Sequence, residues 1–248
     1  MKRITILTMA IMAFTAFSTA QESESYIMFE NTRLSVKTDK YKEFGKAMAH
    51  HNKTYHADGP YHANVWHIAV GNDAGQMVWS MGPCTFEQHD HRPDGSAHME
   101  DWLYNVMPNV KYIASSNMWK RDKKLTYSPD DKQSSKLSIR VYDIKDWQGY
   151  RFKELLNKAM EVYKANNYDW SFSVYWPEFD AMPGEDVALV WGFDKWAYFD
   201  KDVKFKKDFE EKHGEGSWYR FIEELKGTVE STKDEVWELI PELSGSGE

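Results

Sequence analysis

The chain has 248 residues, a formal net charge of -8 and a single cysteine, Cys84. The acidic balance argues against nucleic acid or an anionic membrane surface as partner. One cysteine excludes an intrachain disulfide, and the length suffices for a large core in one big domain or two small ones. Aromatics make up 15% of the residues, with 11 Trp, 14 Tyr and 13 Phe, which suggests flat apolar surfaces in a pocket or groove as well as an aromatic-rich core.

Residues 1–20 open with Lys2 and Arg3, continue as an apolar block from Ile4 to Phe17 and end on Ser18, Thr19 and Ala20. That pattern predicts a secretory signal peptide, with Gln21 starting the mature chain. The protein is therefore expected to be exported, periplasmic or secreted. No cysteine follows the apolar block and no later stretch is long and apolar enough to span a bilayer, so no membrane anchor is expected.

Residues 21–121 read as a first unit and hold eight of the nine histidines. Tyr26 to Val36 is strand-like. Tyr41, Phe44, Met48, His51 and Tyr55 then recur at steps of three and four, the apolar stripe of an amphipathic helix, with His51 on it. Asp58, Gly59 and Pro60 end that helix. Asn64 to Val70 reads as a strand with Val65, His67 and Ala69 on one face, and Gln76 to Met81 as its hairpin partner. A polar loop is expected from Pro83 to Ser96. A second helix follows from about Ala97 to Tyr112, kinked or ended at Pro108, and Ser116 to Lys120 reads as a closing strand.

Residues 122–135 read as a linker, rich in Lys, Asp, Ser, Pro and Gln. Residues 136–243 then repeat the order strand, helix, strand, strand, helix, strand, and 244–248 read as a flexible tail. Lys46, Ala47 and Met48 match Lys158, Ala159 and Met160, and Val78 and Trp79 match Val190 and Trp191, each at a separation of 112 residues. Trp102 matches Trp218 and Trp119 matches Trp237 with a small drift, so the pattern is an internal duplication.

Two copies of βαββαβ look like tandem ferredoxin-like units in an α+β fold. Such a chain resembles the dimeric α+β barrel superfamily, antibiotic-biosynthesis-monooxygenase-like or haem-degrading-monooxygenase-like in architecture only. The resemblance implies that two fused units form within one chain the barrel that other members build as a dimer, and it leaves a further homo-oligomer open. It also implies a small-molecule ligand between helices and sheet and, in haem-binding members, an axial histidine from a helix, for which His51 and His98 are the available positions.

Two sets of residues carry the candidate chemistry. His51 and His67, both expected to point beneath the sheet, are the catalytic candidates, and Tyr55, Trp66, Trp79 and Trp102 are the candidate ligand contacts around them. Glu87, His89 and His91 alternate, so an extended backbone would project them to one side with His98 one loop later. Imidazoles with a carboxylate suit zinc, copper or iron. A core histidine and a solvated loop account for the same residues. His50, His56 and His62 read as surface or turn residues, and the counterpart of His51 in the second unit is Tyr163. Phosphate loops, nucleophile elbows and paired-cysteine motifs are absent from the sequence, which argues against nucleotide-driven chemistry and serine hydrolysis.

The leading expectation is an exported ligand-binding barrel, with haem or a transition metal assisting an oxidative reaction in the first unit. The alternative is a non-catalytic glycan- or ligand-binding protein that uses tryptophan faces. A third reading is an interaction module that docks through sheet edges.

Overall fold

The computed structural model describes residues 26–93, 95–128, 133–202 and 204–246. The expected signal peptide lies outside them. The first half contributes β1 (Met28–Val36), α1 (Tyr41–Tyr55), β2 (Ala63–Val70), β3 (Met77–Cys84), α2 (Phe86–Asp90), α3 (Ser96–Asp101) and β4 (Val110–Arg121). The second contributes β5 (Lys136–Ile144), α4 (Gly149–Asn166), β6 (Ser173–Pro177), β7 (Val187–Phe193), α5 (Phe205–His213), α6 (Ser217–Thr228) and β8 (Val229–Leu239).

The first four strands lie in the order β4-β1-β3-β2 and the last four in the order β8-β5-β7-β6. Every pairing is antiparallel. The two sheets join where Ile68 meets Trp237 between β2 and β8, and where Arg121 meets Tyr175 between β4 and β6. The eight strands close into a barrel. Closure pairs part of each sheet edge, over Trp66–Val70 of β2 and Trp119–Arg121 of β4, which narrows the edge open to an interaction module.

Because successive strand residues point to opposite faces, each sheet feeds two cores. Outward from the first sheet, Val65, Trp79 and Met81 pack against Phe44 and Met48 of α1. Outward from the second, Phe172, Val174 and Leu189 pack against Phe152, Leu156 and Met160 of α4. Inward residues from both, among them Trp66, Trp119, Ile139 and Trp237, form the barrel's own core. Phe44 is 1% exposed, and truncating a side chain so enclosed to Ala costs about 3–5 kcal/mol.

Several elements depart from the sequence reading. The loop expected from Pro83 to Ser96 contains α2, nucleated by a capping box in which the Thr85 hydroxyl accepts from the Gln88 N–H and the Gln88 side chain accepts from the Thr85 N–H. The second helix stops early. After α3 the chain makes one π-helical turn, Trp102–Val106, and a short 3₁₀ turn, Met107–Asn109, so β4 begins at Val110 instead of Ser116. In the segment expected as a linker, Leu125 is buried in the second core and Tyr127 bridges to Phe172.

Ser244–Ser246, expected within a flexible tail, are held against the first half. The Val65 N–H donates to Ser244 Oγ at 3.0 Å, Asn52 Nδ2 donates to the Leu243 carbonyl at 2.6 Å, and the Gly245 N–H donates to the Ala63 carbonyl at 2.9 Å. Gly245 runs so close to the His56 carbonyl that a Cβ would collide with it. Glycine is needed at that crossing.

Candidate metal centre

His51, on the buried face of α1, is 1% exposed, and His56, which caps the helix, is 2% exposed. His98 reaches the same place from the first turn of α3 and is half-buried. One ring nitrogen from each of the three lies within 4.8 Å of the other two. Among the described residues this is the group of three or more His, Cys, Asp or Glu side chains that converges in this way.

The hydrogen bonds set the tautomers. His51 Nδ1 lies 2.8 Å from Asp101 Oδ2, one helical turn beyond His98. Burial lowers the His51 pKa against the opposing pull of Asp101. Burial raises the Asp101 pKa, but hydrogen bonds from Asn105 and His51 outweigh it and hold the carboxyl below its usual value. The pair is therefore a neutral imidazole donating Nδ1–H to a carboxylate, which leaves a lone pair on His51 Nε2.

His56 Nδ1 donates to the Tyr61 carbonyl at 2.8 Å, and burial pushes its pKa down to about 4. Its Nε2 lone pair faces His98 Nε2 at 3.1 Å. Two ligands of one tetrahedral ion with bonds of 2.0–2.1 Å stand about 3.4 Å apart. In the ion-free state His98 Nε2–H donates across this gap, and ion binding requires that proton to sit on Nδ1 instead.

Aromatic rings wall the group. Tyr55 is 5.3 Å from His51 and 4.8 Å from His98 between ring centroids, Trp102 is 5.2 Å from His51, and Trp79 is 5.1 Å from His56. Trp79 Nε1 donates to Asn52 Oδ1 at 2.9 Å. The π-helical turn begins at Trp102, immediately after Asp101, and such turns often occur at functional sites.

The structure brings together five of the candidates named from sequence, His51, His98, Tyr55, Trp79 and Trp102. It adds His56 and Asp101. The others lie elsewhere. His67 shares the helix-facing side of β2 with Val65 but pairs with Met77 and Glu238 and makes no ring contact with His51 among the described residues. Trp66 faces the barrel interior. Glu87, His89 and His91 sit on and just after α2, where successive residues turn by 100° instead of alternating, so they do not share one side. His89 is 2.9 Å from Glu30, beside Arg92, and His91 Nδ1 donates to the Glu87 carbonyl at 2.7 Å. These contacts cap and pin a short helix.

His56 was read as a turn residue because Gly59 and Pro60 follow so closely. The spacing that marks this part of the site is His98 and Asp101 at i, i+3, which puts a candidate ligand and the carboxylate that bonds His51 on one helix face.

No protein-family model matches the sequence, and no curated protein matches it in sequence. Solved structures do match in shape. A candidate monooxygenase from Lactobacillus acidophilus NCFM superposes with a TM-score of 0.54 at 12% identity, over 87% of this chain and 94% of that one. An anthrone oxidase-like protein gives 0.55 at 10% identity over 88% and 92%, and a chlorite dismutase variant from Candidatus Nitrospira defluvii gives 0.52 at 6% identity over 88% and 92%. The chain has the dimeric α+β barrel fold. At such identities the likeness of these dimeric α+β barrels is one of fold alone.

Because the resemblance implied haem, the fit of a porphyrin to His51 can be examined directly. An axial histidine needs its free nitrogen open towards a broad flat macrocycle. Here a ring nitrogen of His51 instead lies within 4.8 Å of one from each of the other two histidines, and His98 stacks on the His51 ring at 4.9 Å. A porphyrin does not fit there. Three convergent imidazole nitrogens with a carboxylate behind one of them fit a single borderline ion such as zinc, copper or iron.

Proposed function

We propose that the protein is an exported, metal-dependent member of the dimeric α+β barrel architecture, with one ion held by His51, His56 and His98 in the first half. The observation that carries this reading is the approach of three imidazole nitrogens, two of them on buried side chains, to within 4.8 Å of one another. Three protein ligands leave at least one coordination position for a substrate or water, as in catalytic and not structural sites. With copper or iron bound, the centre supplies oxidative chemistry on a small apolar or aromatic ligand. The chain's own part is to keep the His51 and His56 imidazoles neutral by burial, to fix the His51 ring through Asp101, and to surround the group with Tyr55, Trp79 and Trp102.

The reading includes the descent of the two halves from one ferredoxin-like unit. The shared strand order and the matched tryptophans support it. It also places the retained site in one copy.

Elemental analysis of the purified protein, and of the chelator-stripped protein offered zinc, copper(II) and iron(II) in turn, tests the metal centre. About one equivalent of ion per chain is expected in the intact protein and none in His56→Ala or His98→Ala. A folded protein that takes up no ion at all overturns the reading.

A further inference from the structure

On the opposite face of the sheets from the histidines, the barrel encloses a cavity of about 440 Å³. That lies within the usual range of small-molecule sites, roughly 300–1,000 Å³. Its walls differ in chemistry. β5 and β7 present Leu137, Ile139, Val141, Ala188 and Val190, whereas β1 and β4 present amides, hydroxyls and two arginines between Phe29 and Trp119.

The two arginines are not equivalent. Arg33 donates twice to Glu235, at 3.0 and 3.2 Å, and once to Asp73 at 2.8 Å. Glu185, the acidic side chain lining the cavity, is within 3.4 Å of Lys233 and 3.9 Å of Arg33. That network closes the end of the barrel carrying the β2–β3 turn. Arg33 pairs with Ser115, and Arg121 lies six residues farther along β4, about 20 Å towards the opposite end. Arg121 has no carboxylate partner among the described residues; its guanidinium hydrogen-bonds the Tyr175 hydroxyl, and its Nε is buried without a partner. Asn31 Oδ1, on the neighbouring strand and also lining the cavity, is likewise buried and unpartnered. Between them in register lie Phe29 and Trp119, paired across β1 and β4, while Tyr175 pairs with Arg121 across β4 and β6.

A guanidinium without a carboxylate, set among aromatic faces and opposite an apolar wall, matches a ligand with one anionic end and one flat apolar end. We propose that the barrel interior is a second binding site, separate from the histidine centre, for a small aromatic carboxylate. The carboxylate lies on Arg121, the ring sits against Phe29, Trp119 and Tyr175, and a ring hydroxyl or similar donor reaches Asn31. Neutral ligands of the same shape leave the guanidinium unpaired and bind less well.

The test is a titration with 1-naphthoate and its neutral amide, 1-naphthamide, followed by tryptophan emission, because Trp66, Trp119 and Trp237 line the cavity. Saturable quenching by the acid is expected, with the amide at least tenfold weaker. Arg121→Gln should bring the acid down to the level of the amide and leave the metal content unchanged. His56→Ala, which removes the ion, should leave acid binding intact. An acid that does not saturate by millimolar concentration, equal binding of acid and amide, or unaltered binding by Arg121→Gln each overturns the proposal. Should Arg121→Gln not fold, the ratio of acid to amide on the unaltered protein decides alone. Acid binding lost in His56→Ala but kept in Arg121→Gln would place the carboxylate on the ion, which ends this proposal and leaves the metal centre standing. A protein that holds no ion but still prefers the acid does the reverse.

Discussion

The two halves fill the same space with different chemistry. Trp79 and Trp191 are separated by 112 residues, and each donates its indole N–H to the helix packed across the sheet. In the first half the acceptor is Asn52, so the neighbouring position is left to His51. In the second the acceptor is the hydroxyl of Tyr163, the residue equivalent to His51 itself, at 3.1 Å. The same separation sets His56 against Tyr168, whose hydroxyl donates to Asp208 at 2.5 Å. Burial raises the pKa of both phenols, so they stay neutral, closed off by hydrogen bonds and packed among Phe172, Trp170 and Phe205. The difference teaches that one architecture can seal the space between helix and sheet with phenols or line it with imidazoles, according to the side chains at two matched positions.

Four outcomes can break or sharpen that contrast. The largest is loss of the ion. His51→Tyr, which imports the residue of the second half, should abolish metal uptake in elemental analysis, while Tyr168→Phe should leave it at one equivalent per chain. Equal effects would mean that the ion, if any, is not held where the imidazoles converge.

Next is the carboxylate that has no counterpart role in the second half. Asp101→Asn keeps a hydrogen bond acceptor but loses the charge behind His51, and should weaken metal affinity about 10–100-fold in a competition with a chelator. Unchanged affinity would make Asp101 a packing residue only.

The third concerns pH in the ion-free protein. His56 titrates near 4 when folded against an ordinary value near 6.5. Between those values the unfolded chain binds more protons, so stability rises with pH, is fully present above about 6.5 and falls as acid approaches pH 4. The loss is on the order of 3 kcal/mol, read as a drop in denaturant midpoint that His56→Phe should flatten. An equally steep slope in that variant would assign the effect to other groups.

The smallest lies in the second half. Tyr163→Phe strands the Trp191 N–H and should cost about 1–2 kcal/mol of stability without changing metal content. A change in bound metal there would contradict the assignment of the site to the first half.

Much of the scaffold was legible in the sequence. Phe44, Met48 and His51 at helical spacing described α1, and the second half has the expected order of strand, helix, strand, strand, helix and strand, its second helix broken into α5 and α6. Local pattern failed where distant contacts decide. Alternate histidines at 89 and 91 suggested an extended loop, yet Thr85 and Gln88 three residues apart were a visible helix start, and that cap sets the conformation. His56 looked like a turn residue because only its neighbours in sequence were in view. What buries it is α3, arriving more than 40 residues later, and the chain's last residues.

Those last residues give the first half an unusual timetable. Leu243 and Ser244 bond to Asn52 and Val65, partners 191 and 179 positions upstream. In a chain that emerges N-terminus first, α1 and β2 must wait for almost the entire polypeptide before the wall behind His56 is complete. Contacts so remote in sequence form slowly. On the proposed function, ion capture would be a late event of folding, and removal of Leu243, Ser244 and Gly245 would keep all three imidazoles and still take away the wall behind His56.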